Sequence, residues 1–196
     1  QHLWRAPMAG SKNFTRAGEQ AFQKMDKINA EVFTLTYGSM VQQLLKDHED
    51  PAEVNEKLDA MGYGIGQRLI DELLAKSNVG QCTDLRETAE VIAKVGFKMF
   101  LGVAATVGGW AQEDSQFSLY FDDNPLVDFV ELPDELRSLK YCNMLCGVVR
   151  GALEMVNMRV ECHYVRCTLW GDETLEIRVC LMEKLQDKYP FGDDDY

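Results

Sequence analysis

The chain has 196 residues, 46% of them hydrophobic, with 32 acidic and 20 basic side chains and a formal net charge of −12. That length and apolar content suit one domain with a core of its own. The charge argues against nucleic acid, whose phosphates demand a basic surface, and against unassisted electrostatic binding to anionic membranes, although a local basic patch stays open. No apolar run approaches the roughly 18–20 residues that span a bilayer, and no signal-peptide core lies near the start. The six cysteines, Cys82, Cys142, Cys146, Cys162, Cys167 and Cys180, therefore read as reduced cytosolic thiols.

Residues 1–20 lack periodicity and are expected to be flexible. Gln1 to Pro7, ahead of Met8, are set aside as a stretch that need not be native. From Ala21 to Asp47 the pattern is helical, with Phe33, Tyr37, Met40, Val41, Leu44 and Leu45 on one face. Asp50 caps a second helix that starts at Pro51, turns Val54, Leu58, Met61, Ile65, Leu69 and Leu73 inward, and stops at Ser77, Asn78 and Gly80. A third helix is predicted from Asp84 to Leu101, opened by a capping box of Asp84 and Glu87.

The pattern then changes to period two. Phe117, Leu119 and Phe121 predict a half-buried strand, Asp122-Asp123-Asn124-Pro125 a turn, and Leu126–Leu132 a short strand. Asn143 to Val156 returns to helical spacing. Two last strands carry Val160, Cys162 and Tyr164, then Leu175, Ile177, Val179 and Leu181, with a hairpin at Trp170-Gly171-Asp172. Helices followed by strands, one helix and a hairpin give an α+β domain over 21–189, with a helical layer on an antiparallel sheet and an acidic tail at 190–196.

Cys82 ends the run Ser77-Asn78-Val79-Gly80-Gln81, a short polar loop between two helices, where a thiol is accessible and modifiable. The helix that begins just after it would lower its pKa and favour thiolate chemistry, while an incidental thiol is the plain alternative. No metal site is expected. Cys142 and Cys146 share a helix face and Cys162 and Cys167 point to opposite strand faces, but neither zinc-type spacing is present. Nothing local supplies Cys82 with a base, since His48 and His163 are distant in sequence. Gly62, Gly64 and Gly66 outwardly resemble a phosphate loop, but they lie inside a helical pattern and fit close helix or subunit contact better. Gly96 sits mid-helix, where glycine costs about 1 kcal/mol against alanine, and marks either close packing or reserved space.

Several ordered strings carry a family resemblance: Phe33-Thr34-Leu35-Thr36-Tyr37-Gly38, Ser77-Asn78-Val79-Gly80, Arg86-Glu87-Thr88-Ala89, Asn124-Pro125-Leu126-Val127-Asp128-Phe129-Val130-Glu131-Leu132-Pro133 and Arg150-Gly151-Ala152-Leu153-Glu154-Met155-Val156. Together, from about Ile28 to Tyr189, they resemble the core small-subunit-three family of the TRAPP vesicle-tethering complex. The resemblance implies a thioester-linked palmitoyl chain on Cys82, enclosed in an internal hydrophobic tunnel, with Ile92, Val95 and Gly96 as tunnel candidates. Family members often carry a basic residue where this chain has Gln81, which weakens any basic membrane-facing patch there. The resemblance further implies a non-enzymatic scaffold in ER-to-Golgi transport, peripheral at Golgi and ER–Golgi membranes. It would pair with itself or related small subunits through Tyr37, Gly38, Gly62 and Gly66. Its tail, with Asp193, Asp194 and Asp195, would approach the nucleotide pocket of a Rab-family GTPase. Two other classes stay open: a soluble fatty-acid carrier and a cysteine-dependent acyl-transfer enzyme.

Overall fold

In a computed structural model, which describes residues 11–185, the chain folds as α+β. Helices α1 (Ser11–Lys24), α2 (Ala30–Asp47) and α3 (Pro51–Ser77) come first. Next come α4 (Leu85–Val91), a π turn (Ile92–Gly96) and α5 (Phe97–Leu101), then β1 (Thr106–Gly108) and β2 (Gln116–Phe121). After two 3-10 turns, α6 (Asn143–Glu154) precedes the hairpin of β3 (Met158–Arg166) and β4 (Leu175–Lys184). The sheet is antiparallel in the order β1-β2-β4-β3.

Alternation along the strands decides which face is covered. Phe117, Leu119, Phe121, Leu175, Ile177 and Val179 are buried under the helices, and the Phe97 ring meets Phe121 edge-on at 4.6 Å. On the other parity, Glu176 is also buried. Its carboxylate accepts from Ser118 Oγ at 2.8 Å and lies 3.1 Å from Arg178 and 3.4 Å from Arg166, so the charge is compensated rather than stranded.

Three expectations are corrected. The segment 1–20 was expected to be flexible, but α1 starts at Ser11 and buries Phe14 and Ala21 against Leu73, Val91, Val95 and Met99. The helix expected over Ala21–Asp47 is two helices, because Asn29 caps α2 by accepting from the Val32 N–H at 3.0 Å. Leu126–Leu132 forms no strand. Asn124 Oδ1 accepts from the Leu126 N–H and turns Pro125–Val127 into a 3-10 turn, whose Pro125 carbonyl accepts from Thr34 Oγ1.

Two of the expected helix starts are found. Asp50 Oδ1 accepts from the Ala52 N–H ahead of Pro51, and Asp84 Oδ1 accepts from the Glu87 N–H at 2.8 Å. Glu87 returns its carboxylate to the Thr83 N–H and hydroxyl, one residue earlier than in the standard box. Asp84→Ala is expected to lower the unfolding free energy by about 1 kcal/mol in a urea titration, with Asp84→Asn retaining most of it.

Helices α3 and α6 approach each other closely along four glycines. A Cβ on Gly62 or Gly66 would collide with the carbonyls of Met144 or Val148, and one on Gly147 or Gly151 with those of Asp59 or Tyr63. The two backbones touch, and the Arg150–Asp59 ion pair and the Tyr63 hydroxyl donating to Glu154 at 3.0 Å flank the contact. This crossing brings one flank of α3 and one flank of α6 into a common trough.

Candidate functional site

Cys82 is held by the ends of two helices. Asn78 caps α3 in the left-handed region at φ 56°, which turns the chain away from the helix axis. The Ser77 hydroxyl accepts from the Val79 N–H at 3.2 Å, and Asp84 starts α4 two residues after the cysteine. Between these caps Cys82 is half-buried, against the small core that α1 completes with Phe14 and Ala21.

Cys82 lines an apolar cavity of about 800 Å³, within the roughly 300–1,000 Å³ typical of small-molecule pockets. The walls come from four places: Leu69 and Leu73 of α3; Val91, Ile92, Gly96, Phe97, Phe100 and Leu101 around the π turn; Val148, Val149, Ala152 and Leu153 of α6 with Val156 just beyond it; and Phe33, Thr36, Tyr37 and Met40 of α2. Nearly all the lining is hydrocarbon. Such a space takes an aliphatic chain and offers no charged side chain to hold a charged ligand.

Burial is the main influence on the thiol and pushes its pKa up. Thr88 pulls it down, and Glu87 and Asp84 push it further up. The expected helix-terminus activation is thus overturned: desolvation and two carboxylates outweigh the partial charge of a seven-residue helix. Alkylation of the free Cys82 thiol, followed by peptide mass mapping, should therefore be slow at neutral pH and keep accelerating past about pH 8.5. A plateau near neutrality would contradict the raised pKa. The Cys142 and Cys146 thiols, deep in the core, are pushed up to about 12.

Of the tunnel candidates, Ile92 and Gly96 line the cavity, and a Cβ on Gly96 would stand 3.4 Å from Leu73 Cδ1. Val95 does not. The π turn rotates it away from the wall, into the core under α1. The subunit-contact candidates are also placed differently. Gly62 and Gly66 are consumed by the crossing with α6 inside the chain. Tyr37 is buried, donates to the Tyr141 carbonyl at 2.5 Å and packs edge-on against the Tyr141 ring, while Gly38 lies beside the Tyr141 hydroxyl. Asp193, Asp194 and Asp195 lie outside the described residues.

Neither of the two described histidines reaches the cavity that Cys82 lines. His48 pairs with Glu53 at the end of α2, and His163 lies on β3; neither lines the cavity. Among the described residues no group of His, Cys, Asp and Glu could hold a metal ion, and no helix is long and apolar enough to cross a membrane. The α6 wall went unrecognised in the sequence. Its stripe of Leu145, Val148, Val149 and Ala152, continued by Val156 just past the helix end, has the spacing of any core helix, and nothing local distinguishes a wall from a filled core.

Comparison with known proteins bears on this geometry. A family model described as "Transport protein particle (TRAPP) component" matches residues 33–180. Trafficking protein particle complex subunit 3 of Dictyostelium discoideum is 59% identical over 185 residues, covering 94% of this chain and 100% of that protein. The Saccharomyces cerevisiae subunit BET3 is 46% identical over 187 residues, covering 94% and 97%. A crystal structure of a subunit 3 from Naegleria fowleri, described as covalently bound to palmitic acid, superposes with a TM-score of 0.79 at 53% identity, covering 83% of this chain and 100% of that one. An end-to-end match in sequence and a shared fold lead to one conclusion: the chain belongs to the TRAPP component family, in its subunit 3 branch.

Proposed function

We propose that this protein is a scaffold subunit of a TRAPP tethering complex in ER-to-Golgi vesicle transport, and that it carries an S-palmitoyl chain on Cys82 inside its own core. The observation that carries the reading is the half-buried Cys82 at the edge of an apolar cavity of about 800 Å³. The relative from Naegleria fowleri with covalently bound palmitic acid supports it. The thioester forms when the Cys82 sulfur takes the acyl carbon of an acyl-thioester donor, whose own thiol leaves with the proton that Cys82 gives up. Enclosing the chain recovers about 0.8 kcal/mol per methylene that exposure to water would cost. The lipid is then part of the core as much as a membrane anchor.

In the assembled complex the subunit pairs with a second copy or a related small subunit and works from the cytoplasmic side of ER and Golgi membranes as a peripheral component. It contributes to a surface that favours the nucleotide-free state of a Rab-family GTPase, which is how a multi-subunit assembly promotes exchange. The acidic tail with Asp193 to Asp195 is the candidate for repelling the nucleotide phosphates.

The test is intact mass before and after neutral hydroxylamine, with Cys82→Ser as control. Loss of one palmitoyl-sized mass, absent from the variant, is the expected result. Lipid that extracts without cleavage would replace this reading with an exchangeable fatty-acid carrier. No added mass in protein from a eukaryotic host would remove Cys82 as the functional centre.

A further inference from the structure

We propose that Thr88 is the positioning residue for thioester formation at Cys82: its hydroxyl holds the sulfur at the cavity wall and turns its single proton onto the sulfur when the thiol gives up its own. This rests on the acylated reading above and names the polar group that serves its sulfur where no described histidine does.

The argument starts from how few polar side chains the cavity has. Apart from Cys82 they are Thr36, Tyr37, Gln81, Thr88 and Asn157. Thr36 and Gln81 are exposed, and the Tyr37 hydroxyl is engaged with the Tyr141 carbonyl. Thr88 is 5% exposed, and its hydroxyl is hydrogen-bonded to the Cys82 sulfur. A hydroxyl on a hydrocarbon wall is costly to bury, and valine would fill the same shape without that cost. Packing alone therefore does not account for a threonine at this place.

The surrounding bonds let the hydroxyl turn. It donates to the Asp84 carbonyl at 2.8 Å, and the Thr88 N–H reaches the same carbonyl at 3.1 Å. A bond to the residue four earlier is ordinary for a helical threonine. The sulfur on its other side makes it consequential. With its proton on Asp84, the hydroxyl oxygen accepts from the Cys82 S–H. When the sulfur is ionised, the hydroxyl rotates and donates to it instead. The Asp84 carbonyl then keeps the Thr88 N–H, so no buried acceptor is stranded. The bond to the ionised sulfur is the stronger of the two because its acceptor is charged.

The electrostatic surroundings give this turn its value. Asp84 and Glu87 are the charged groups that act on Cys82, and both oppose a thiolate. The small core behind the sulfur, built from α1, α3 and the π turn, is apolar throughout and gives it no compensating charge. Thr88 is the neighbour that favours the ionised form. Thioester formation then balances without a resident base. The sulfur–acyl bond forms as the donor's carbon–sulfur bond breaks, the Cys82 proton passes through solvent to the departing thiol, and Thr88 keeps its own proton throughout.

The test compares wild type with Thr88→Val, which removes the hydroxyl and keeps the shape, and Thr88→Ser, which restores it. A hydrogen bond to a charged group changes an equilibrium by about tenfold to a hundredfold. The midpoint of the pH profile for alkylation of Cys82 by iodoacetamide should therefore rise by about one to two pH units in Thr88→Val and return in Thr88→Ser. Loading from S-palmitoyl-N-acetylcysteamine at neutral pH, followed by intact mass, should be at least about tenfold slower in Thr88→Val and recover in Thr88→Ser. Because the free-thiol form can lose its fold, a further measurement uses protein acylated in cells. The same thiolate leaves when hydroxylamine cleaves the thioester, so cleavage should be several-fold slower in Thr88→Val. Equal midpoints in wild type and Thr88→Val, a shift that Thr88→Ser does not reverse, or equal cleavage rates would each overturn the proposal and leave the acylated reading standing. A wild type that never gains acyl mass overturns both.

Discussion

Cleaving the Cys82 thioester should lower the thermal midpoint of the protein by about 10 °C or more. The gross transfer energy of a sixteen-carbon chain is about 10 kcal/mol, and ordering the chain removes a large part of it. A remainder of about 3–5 kcal/mol, at about 2–4 °C per kcal/mol for a chain of this size, gives that shift. The cavity supplies an independent bound. Left open, about 800 Å³ of void would cost near 19 kcal/mol at about 24 cal/mol per Å³, more than the whole stability of an ordinary domain. The cavity is partly open to solvent, so this is a ceiling, but it shows that the wall without its chain must collapse inward or unfold. Differential scanning calorimetry on acylated and hydroxylamine-treated protein reads the effect. Gly96→Leu, which fills the space beside Leu73, should carry no acyl mass and show no change with hydroxylamine. An unchanged midpoint in the wild type would mean that the chain is not in the cavity.

Gly66→Val should be the most damaging single substitution in the helical layer. Its side chain would be driven into the Val148 carbonyl and the Ala152 amide of α6, backbone atoms that no rotamer change can move aside. Overpacking of an ordinary core costs about 1–3 kcal/mol, and here α6 itself must shift, so a loss of about 4 kcal/mol or more is expected. The same shift would move Val148, Val149 and Ala152 off the cavity wall, so acyl occupancy should fall together with stability. Gly64→Val is the control: it lies two residues away on the other side of the helix, its nearest neighbour is the tip of Arg68, and only the small propensity difference applies. Urea unfolding of the two variants separates the cases, and equal losses would show that the crossing is not as tight as the α3–α6 contact implies.

Local chemistry made much of the fold legible in advance. Asp50 and Asp84 announce helix starts because a carboxylate at an N-cap satisfies backbone N–H groups that have no other partner. The alternation of Phe117, Leu119 and Phe121, and of Leu175, Ile177 and Val179, announces strands because one face of the sheet must be dry. The break at Asn29 was legible by the same rule as Asp84 but hidden inside a continuous apolar rhythm. α1 was hidden because its burial depends on Leu73, Val91 and Met99, residues far away in sequence.

The candidate site divides along the same line. By itself, the sequence determined the family, the α+β class, the loop that presents Cys82 and the glycines that demand close approach. Each of these is a property of a residue and its near neighbours along the chain. The tertiary structure alone decided what the glycines approach, which way Val95 and Tyr37 face, that the Cys82 thiol is held up rather than down in pKa, and that an apolar trough lies beside it. A cavity is the absence of atoms among α2, α3, the π turn and α6. Helical spacing is the same for a side chain that fills a core as for one that lines a void, so the pattern of the sequence cannot tell them apart.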